Sequence, residues 1–264
     1  MLENVHRFTH GDVEGAVIRI MEDEIVSTHE FLPDELKLVA PKDAIFSYTC
    51  CYLRHRGKHV LIDAGFDPDT VPGALESIDV EPEEIEVVLL THADRDHVAG
   101  LLMTEGTSTY PNAQHVIGRE LWENLRRPET LDALDEERAP FYRRFVAAFD
   151  DHLRLCEGDT EVLPGVRFVP SPGHRVGHAV YEFESDSGKP LLHTGDTFFH
   201  PMFAEHPDWP NVADSLPDQA RDSRTAVIER AAASGALVLS SHVEFPGIGR
   251  IDRHGEAYKW VPIS

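Results

Sequence analysis

The sequence predicts a layered α/β protein, and three observations carry that prediction. Strands and helices alternate, but without the strict βαβ regularity of a Rossmann unit or a barrel. Four apolar runs, at residues 87–90, 166–169, 191–192 and 237–239, are short, as buried strands are, and each gives way to a turn of small residues. After each turn stands a side chain able to bind a metal: the cluster at 92–97, then His174, Asp196 and His242. At 264 residues the chain can bury a sizeable core, and one domain over residues 1–264 is expected.

Taken in order, residues 48–54 and 58–63 are β-rich and joined by His55-Arg56-Gly57, which reads as a hairpin. A turn at Ala64-Gly65-Phe66-Asp67-Pro68 precedes a short helix over 71–78. The apolar strand 85–90 delivers the histidine cluster, and 96–103 reads as about two helical turns. A strand at 114–118 is followed by helical spacing at 119–127 and 136–150, with Phe141, Phe145, Val146 and Phe149 on one side. Between these helices, 128–140 is polar and acidic and reads as a loop or flap. The second half returns to strands at 166–169, 179–183, 191–193 and 237–240, with a helix over 218–233 before the last. Neither standard Gly-rich phosphate loop is present.

Composition narrows the partners. There are 47 acidic against 24 basic residues, five of the latter lysine, for a formal net charge of −23. Such a field repels nucleic acid and anionic membranes, so neither is an expected partner. The acidic surface either keeps the protein soluble or reflects adaptation to high salt, which screens its self-repulsion. No apolar run is long enough to cross a bilayer, and the first ten residues lack the pattern of a signal peptide. A cytoplasmic location is expected. Cys50 and Cys51 are neighbours on a strand and face opposite ways, Cys156 stands alone, and no cysteine has metal-type spacing.

The chemistry concentrates in Thr91-His92-Ala93-Asp94-Arg95-Asp96-His97. Imidazoles and carboxylates are the usual ligands of zinc, manganese and iron, and a strand end holds them rigidly. Any single histidine has a bland explanation. Four strand-end sites in one chain are hard to attribute to chance.

With these residues in place the chain resembles the metallo-β-lactamase superfamily, which carries a His-x-His-x-Asp-His motif followed by a distant His, Asp and His. The resemblance runs from about Ser47 to the C-terminus and includes the turn Leu61-Ile62-Asp63-Ala64-Gly65. The tail from His242 to Gly249, with Tyr258-Lys259-Trp260-Val261-Pro262, is similar to the branch of methyl parathion hydrolase and lactonase-like hydrolases. The resemblance implies a four-layer αββα sandwich with two divalent metal ions at one edge. It assigns His92, Asp94 and His174 to the first metal, Asp96, His97 and His242 to the second, and Asp196 as the bridge. It also implies a metal-bridging hydroxide as nucleophile, with Asp96 able to accept its proton. The branch commonly dimerises, which leaves a homodimer open with no interface located.

Asp94 departs from the motif, where histidine is usual. A carboxylate ligates at this position in the related di-iron flavoproteins, so direct ligation is the favoured reading; the other is a weakened or empty first site. An anionic donor makes the metal pair less electrophilic and moves its preference from zinc toward manganese or iron. His178 reads as a partner of a ligand or a packing residue, and Asp63 as an orienting or turn-stabilising carboxylate. His193 reads as structural, and His200, His206 and Trp209 as candidates to line a pocket. Phe198, Phe199, Phe203 and Trp209 suit an apolar substrate or the core. Phe199 also lacks the tyrosine hydroxyl that acyl-homoserine lactonases of this superfamily place shortly after the bridging aspartate.

The function expected is hydrolysis of a small, neutral ester, lactone or phosphotriester. The alternatives are an iron-dependent oxidoreductase on the same fold and a metal-binding module without catalysis. A nuclease is disfavoured by the charge.

Overall fold

The computed structural model describes residues 4–150 and 152–263. Its first sheet runs β1 (Val5–His10), β2 (Val13–Ser27), β3 (Asp43–His55), β4 (Lys58–Ile62), β5 (Val87–Leu89), β6 (Gln114–Gly118) and β7 (Leu153–Cys156), hydrogen-bonded in that order. The second runs β8 (Thr160–Leu163), β9 (Val166–Pro170), β10 (Ala179–Phe183), β11 (Leu191–His193), β12 (Leu237–Leu239), β13 (Ile248–His254) and β14 (Ala257–Pro262), also paired in sequence order. Helices α1 (Thr70–Glu76), α2 (Arg95–Val98), α3 (Arg119–Leu125), α4 (Pro128–Asp132) and α5 (Ala139–Phe149) belong to the first half, and α6 (Pro201–Glu205) and α7 (Pro217–Ser234) to the second.

Strand periodicity sorts the side chains into layers, because successive residues face opposite ways. Val60, Ile62, Val87 and Leu89 meet Leu191, Leu237 and Leu239 in the core between the sheets. Their neighbours Leu61 and Val88 turn outward onto Leu75, Leu121, Trp122 and Phe145 of the first helical layer. On the far side Leu192 and Val238 meet Met202, Phe203, Val227 and Ile228 of the second. The result is the αββα sandwich. Cys50 and Cys51 obey the same rule, one in each core.

The β3–β4 hairpin turns on Arg56 and Gly57, both at positive φ, as a two-residue hairpin turn requires. Residues 128–140, expected as a loop, instead begin with the helix α4, for which Pro128 at the first turn supplies a pre-set φ. The short helix after the histidine cluster is α2 followed by a 3₁₀ turn over Ala99–Leu101. The four strand ends that carry the polar cluster lie along one edge of the sandwich. There the sheets are laced together: Tyr181 Oη donates to Leu90 O, Ala179 N to Thr91 O, and Ser47 N to His242 O.

Candidate metal centre

The structure brings together all seven residues to which the resemblance assigned metals. Three overlapping groups each hold their donor atoms within 4.8 Å of one another: His92, Asp94 and His174; Asp96, His97 and His242; and His92, His97 and Asp196. In the first group Asp94 Oδ2 lies 3.6 Å from both His92 Nε2 and His174 Nε2. In the second, Asp96 Oδ2 lies 3.3 Å from His97 Nε2 and 3.4 Å from His242 Nε2. Asp196 stands between them: its Oδ2 is 3.7, 3.4 and 3.2 Å from Nε2 of His92, His174 and His242, and its Oδ1 is 3.4 Å from His97 Nε2. Two donors on one tetrahedral zinc ion are separated by about 3.4 Å, so the spacing suits a shared cation.

The imidazoles are aimed by their other nitrogens. His92 Nδ1 meets Thr91 Oγ1 (3.0 Å), whose own hydroxyl donates to Asp63 Oδ2 (2.8 Å). His97 Nδ1 donates to Asp63 Oδ2 (2.7 Å), His174 Nδ1 to Asp214 Oδ1 (3.3 Å) and His242 Nδ1 to Ser47 O (2.9 Å). An Nδ1–H committed to an acceptor leaves the Nε2 lone pair for a metal. His92, His97 and His174 Nε2 and Asp196 Oδ1 are buried without a hydrogen-bond partner. Buried polar atoms are rarely left so, and four gathered in these overlapping groups fit a pair of cations.

Electrostatics agree with the geometry. Burial pushes the Asp94, Asp96 and Asp196 carboxyls up, but the facing imidazoles outweigh it and hold all three below the usual range. Burial pulls His242 down, yet Asp196 and Asp96 raise it to about 10. His178 is different: burial, then His92 and His174, hold it well below its ordinary value. Its Nε2 accepts from Asp196 N (3.1 Å) and its Nδ1 donates to Ser171 O (3.1 Å). Both ring nitrogens are engaged, so it positions the Asp196 backbone rather than ligating. The Asp196 turn is tight: Gly195 has φ +49°, and a Cβ there would lie 2.8 Å from His178 Nε2.

Several neighbours escaped the sequence reading. Asp214, which orients His174, is held in turn by the buried Arg224, whose Nη2 donates to Asp214 Oδ2 (2.7 Å). Arg224 also donates to Thr197 O and Trp209 O, binding the loop after Asp196 to the ligand network. An arginine among Ala220, Val227, Ile228 and Ala231 on the buried face of α7 was the available signal. Phe46 stacks on His242 at 4.4 Å between centroids, and Tyr48 meets the same ring edge-on at 5.2 Å. Phe198, Phe199 and Phe203 are core residues, Phe199 packing against Phe31, Phe46 and Phe203. His200 accepts from Met202 N at the start of α6, and His206 stacks on Trp209 at 4.2 Å. His193 is buried and accepts from Gly195 N.

The model of the metallo-β-lactamase superfamily matches residues 45–242, from within β3 to His242. The chain belongs to this superfamily. Among curated relatives, an N-acyl homoserine lactonase of a Bacillus species is 26% identical over 133 residues, covering 50% of this chain and 46% of the relative. A probable metallo-hydrolase of Mycobacterium tuberculosis is 27% identical over 157 residues, covering 54% of this chain and 46% of that protein. The chain thus aligns with about half the length of these relatives. Among solved structures, AidC, a dizinc quorum-quenching lactonase in complex with a product, superposes with a TM-score of 0.84 at 20% identity, over 99% of this chain and 98% of that one. A hydrolase of the β-lactamase superfamily, AbOPH, gives a TM-score of 0.83 at 20% identity over the same shares. These likenesses establish the αββα fold, and the lactonase relatives agree with the lactonase-like side of the expected branch.

Proposed function

We propose that the protein is a metal-dependent hydrolase acting on a small, neutral ester, with lactones first among the candidates and phosphotriesters next. The observation that carries this reading is the convergence of four Nδ1-anchored imidazoles and three carboxylates on one buried edge. His92, Asp94 and His174 would hold one metal ion, Asp96, His97 and His242 another, with Asp196 facing both. Two dications so held would supply an acidified water as nucleophile and polarise the scissile carbonyl or phosphoryl oxygen. The donor set mixes imidazole with carboxylate, which suits zinc and also manganese or iron.

The chain's own residues supply the rest. Asp96 is half-buried and, besides helping to hold a metal ion, could accept a proton from the attacking water. Phe46 and Tyr48 form an aromatic wall against His242 that suits an apolar substituent. The strongly negative surface disfavours anionic substrates, which turns the choice toward neutral ones. The names of the lactonase relatives support placing lactones first.

The test is metal analysis of the protein as purified, followed by turnover of an ester, lactone and phosphotriester panel under the metal found. Two metal equivalents with turnover of a lactone or another neutral ester is the expected result. Two equivalents with no turnover across the panel would overturn the hydrolase reading and leave a binding module.

A further inference from the structure

We infer that Arg175 is a positioning residue that, paired with Asp94, presents the metal pair with a donor unit of no net charge; this rests on the metal assignment proposed above. Its guanidinium takes both oxygens of the carboxylate: Nε donates to Asp94 Oδ1 at 2.8 Å, and Nη2 stands 2.5 Å from Oδ2. A two-pronged contact of this kind fixes the plane of the carboxylate as well as its place. The guanidinium is fixed in its turn. Nη1 donates to His174 O (2.7 Å), Ala213 O (2.9 Å) and Ser215 Oγ (3.3 Å), so the pair is braced from behind rather than swinging at the surface. Gly173 makes the bracing loop possible, with φ +139° and a missing Cβ that would lie 2.2 Å from the Ala220 backbone.

The shared oxygen is the informative one. Asp94 Oδ2, paired with Nη2, is also the atom 3.6 Å from His92 Nε2 and His174 Nε2. A carboxylate oxygen has two lone pairs and can accept from the arginine while donating to a metal. Asp94 and Arg175 together carry no net charge. The weaker electrophilicity that an anionic donor would impose is therefore offset from the loop that also supplies His174.

A cycle of variants tests this, read as Co²⁺ stoichiometry and affinity by chelator competition and as the visible absorption of the bound ion. Asp94→His alone leaves the guanidinium unpaired beside a dication and is expected to weaken one of the two binding events by about tenfold or more. Adding Arg175→Met should restore that event to within about threefold of the original protein, a coupling that independent sites do not give. Arg175→Lys in the Asp94→His background keeps the charge and loses the fork, so it should stay weak. Equal binding by Asp94→His with and without Arg175, or equal rescue by lysine, would overturn the inference while leaving the two-metal centre standing. A native chain that takes up fewer than two equivalents would instead overturn the metal assignment itself.

Discussion

Asp63 follows β4 in a left-handed conformation, at φ +58°, and its carboxylate accepts from Thr91 N (2.9 Å), Thr91 Oγ1 (2.8 Å) and His97 Nδ1 (2.7 Å). It therefore aims His97 directly and His92 through the threonine hydroxyl. Asp63→Asn replaces an acceptor oxygen with a donor, and metal affinity is expected to fall about 10–100-fold at the centre, measured by chelator competition. Unchanged affinity would reduce Asp63 to a turn residue. The candidate ligands were legible in the sequence because each is an imidazole or carboxylate at or just beyond a strand end. Of their orienting partners Asp63 was readable, but the others were not: Asp214 is 40 residues from His174, and Ser47 is 195 from His242. A partner that offers a backbone carbonyl, as Ser47 does, leaves no mark on residue type at all. Arg175 sat beside the candidate ligand His174, but nothing in its spacing said that it would reach Asp94.

At the scale of elements, α7 does more than cover the second sheet. Its Arg224 is buried and bonded to Asp214, so Arg224→Met takes the guanidinium away from a buried carboxylate that still accepts from His174. A loss of about 3–5 kcal/mol is expected in denaturant unfolding. Strand β6 carries a separate pH signal in His115, which burial, aided by His152, pulls down to about 4. Below its ordinary value of 6.5 the unfolded chain binds a proton that the folded chain refuses until about pH 4. Stability is therefore lost as pH falls through that window and levels off beneath it. His115→Gln should remove about 2–3 kcal/mol of that loss between pH 7 and 4, read by urea unfolding; an unchanged slope would show that the site hydrates on acidification. Short, wholly apolar strands such as β5 and β12 were readable. Strand β2 was not, since Ala16 faces the helical core, Val17 the inter-sheet core, and the alternation disappears. Strands β7 and β8 span four residues each and carry charge, too little pattern to find.

For the whole molecule, the net charge of −23 spread over a surface with few lysines is self-repelling. Screening should therefore raise the melting temperature between low and molar salt. A melting temperature that does not rise would assign the acidic surface to solubility alone. The layered architecture was legible from the order of strands, helices and strand-end ligand candidates. The register between the sheets was not, because it is set by cross-sheet contacts such as Tyr181 to Leu90, which connect residues 91 positions apart.

The edge where the sheets are laced together has a thermodynamic side. Ligand candidates 92–97 leave the first sheet, whereas His174, Asp196 and His242 leave the second. An ion held there rivets two halves of the sandwich that an unfolded chain would let drift apart. Occupancy then becomes readable as a melting curve: at free metal a hundredfold above the dissociation constant, linkage adds about 2.7 kcal/mol of stability per site. Chelation should soften the seam first, so amide hydrogens at Thr49 and Ala179, whose bonds cross it, should exchange before those of the outer hairpin β13–β14.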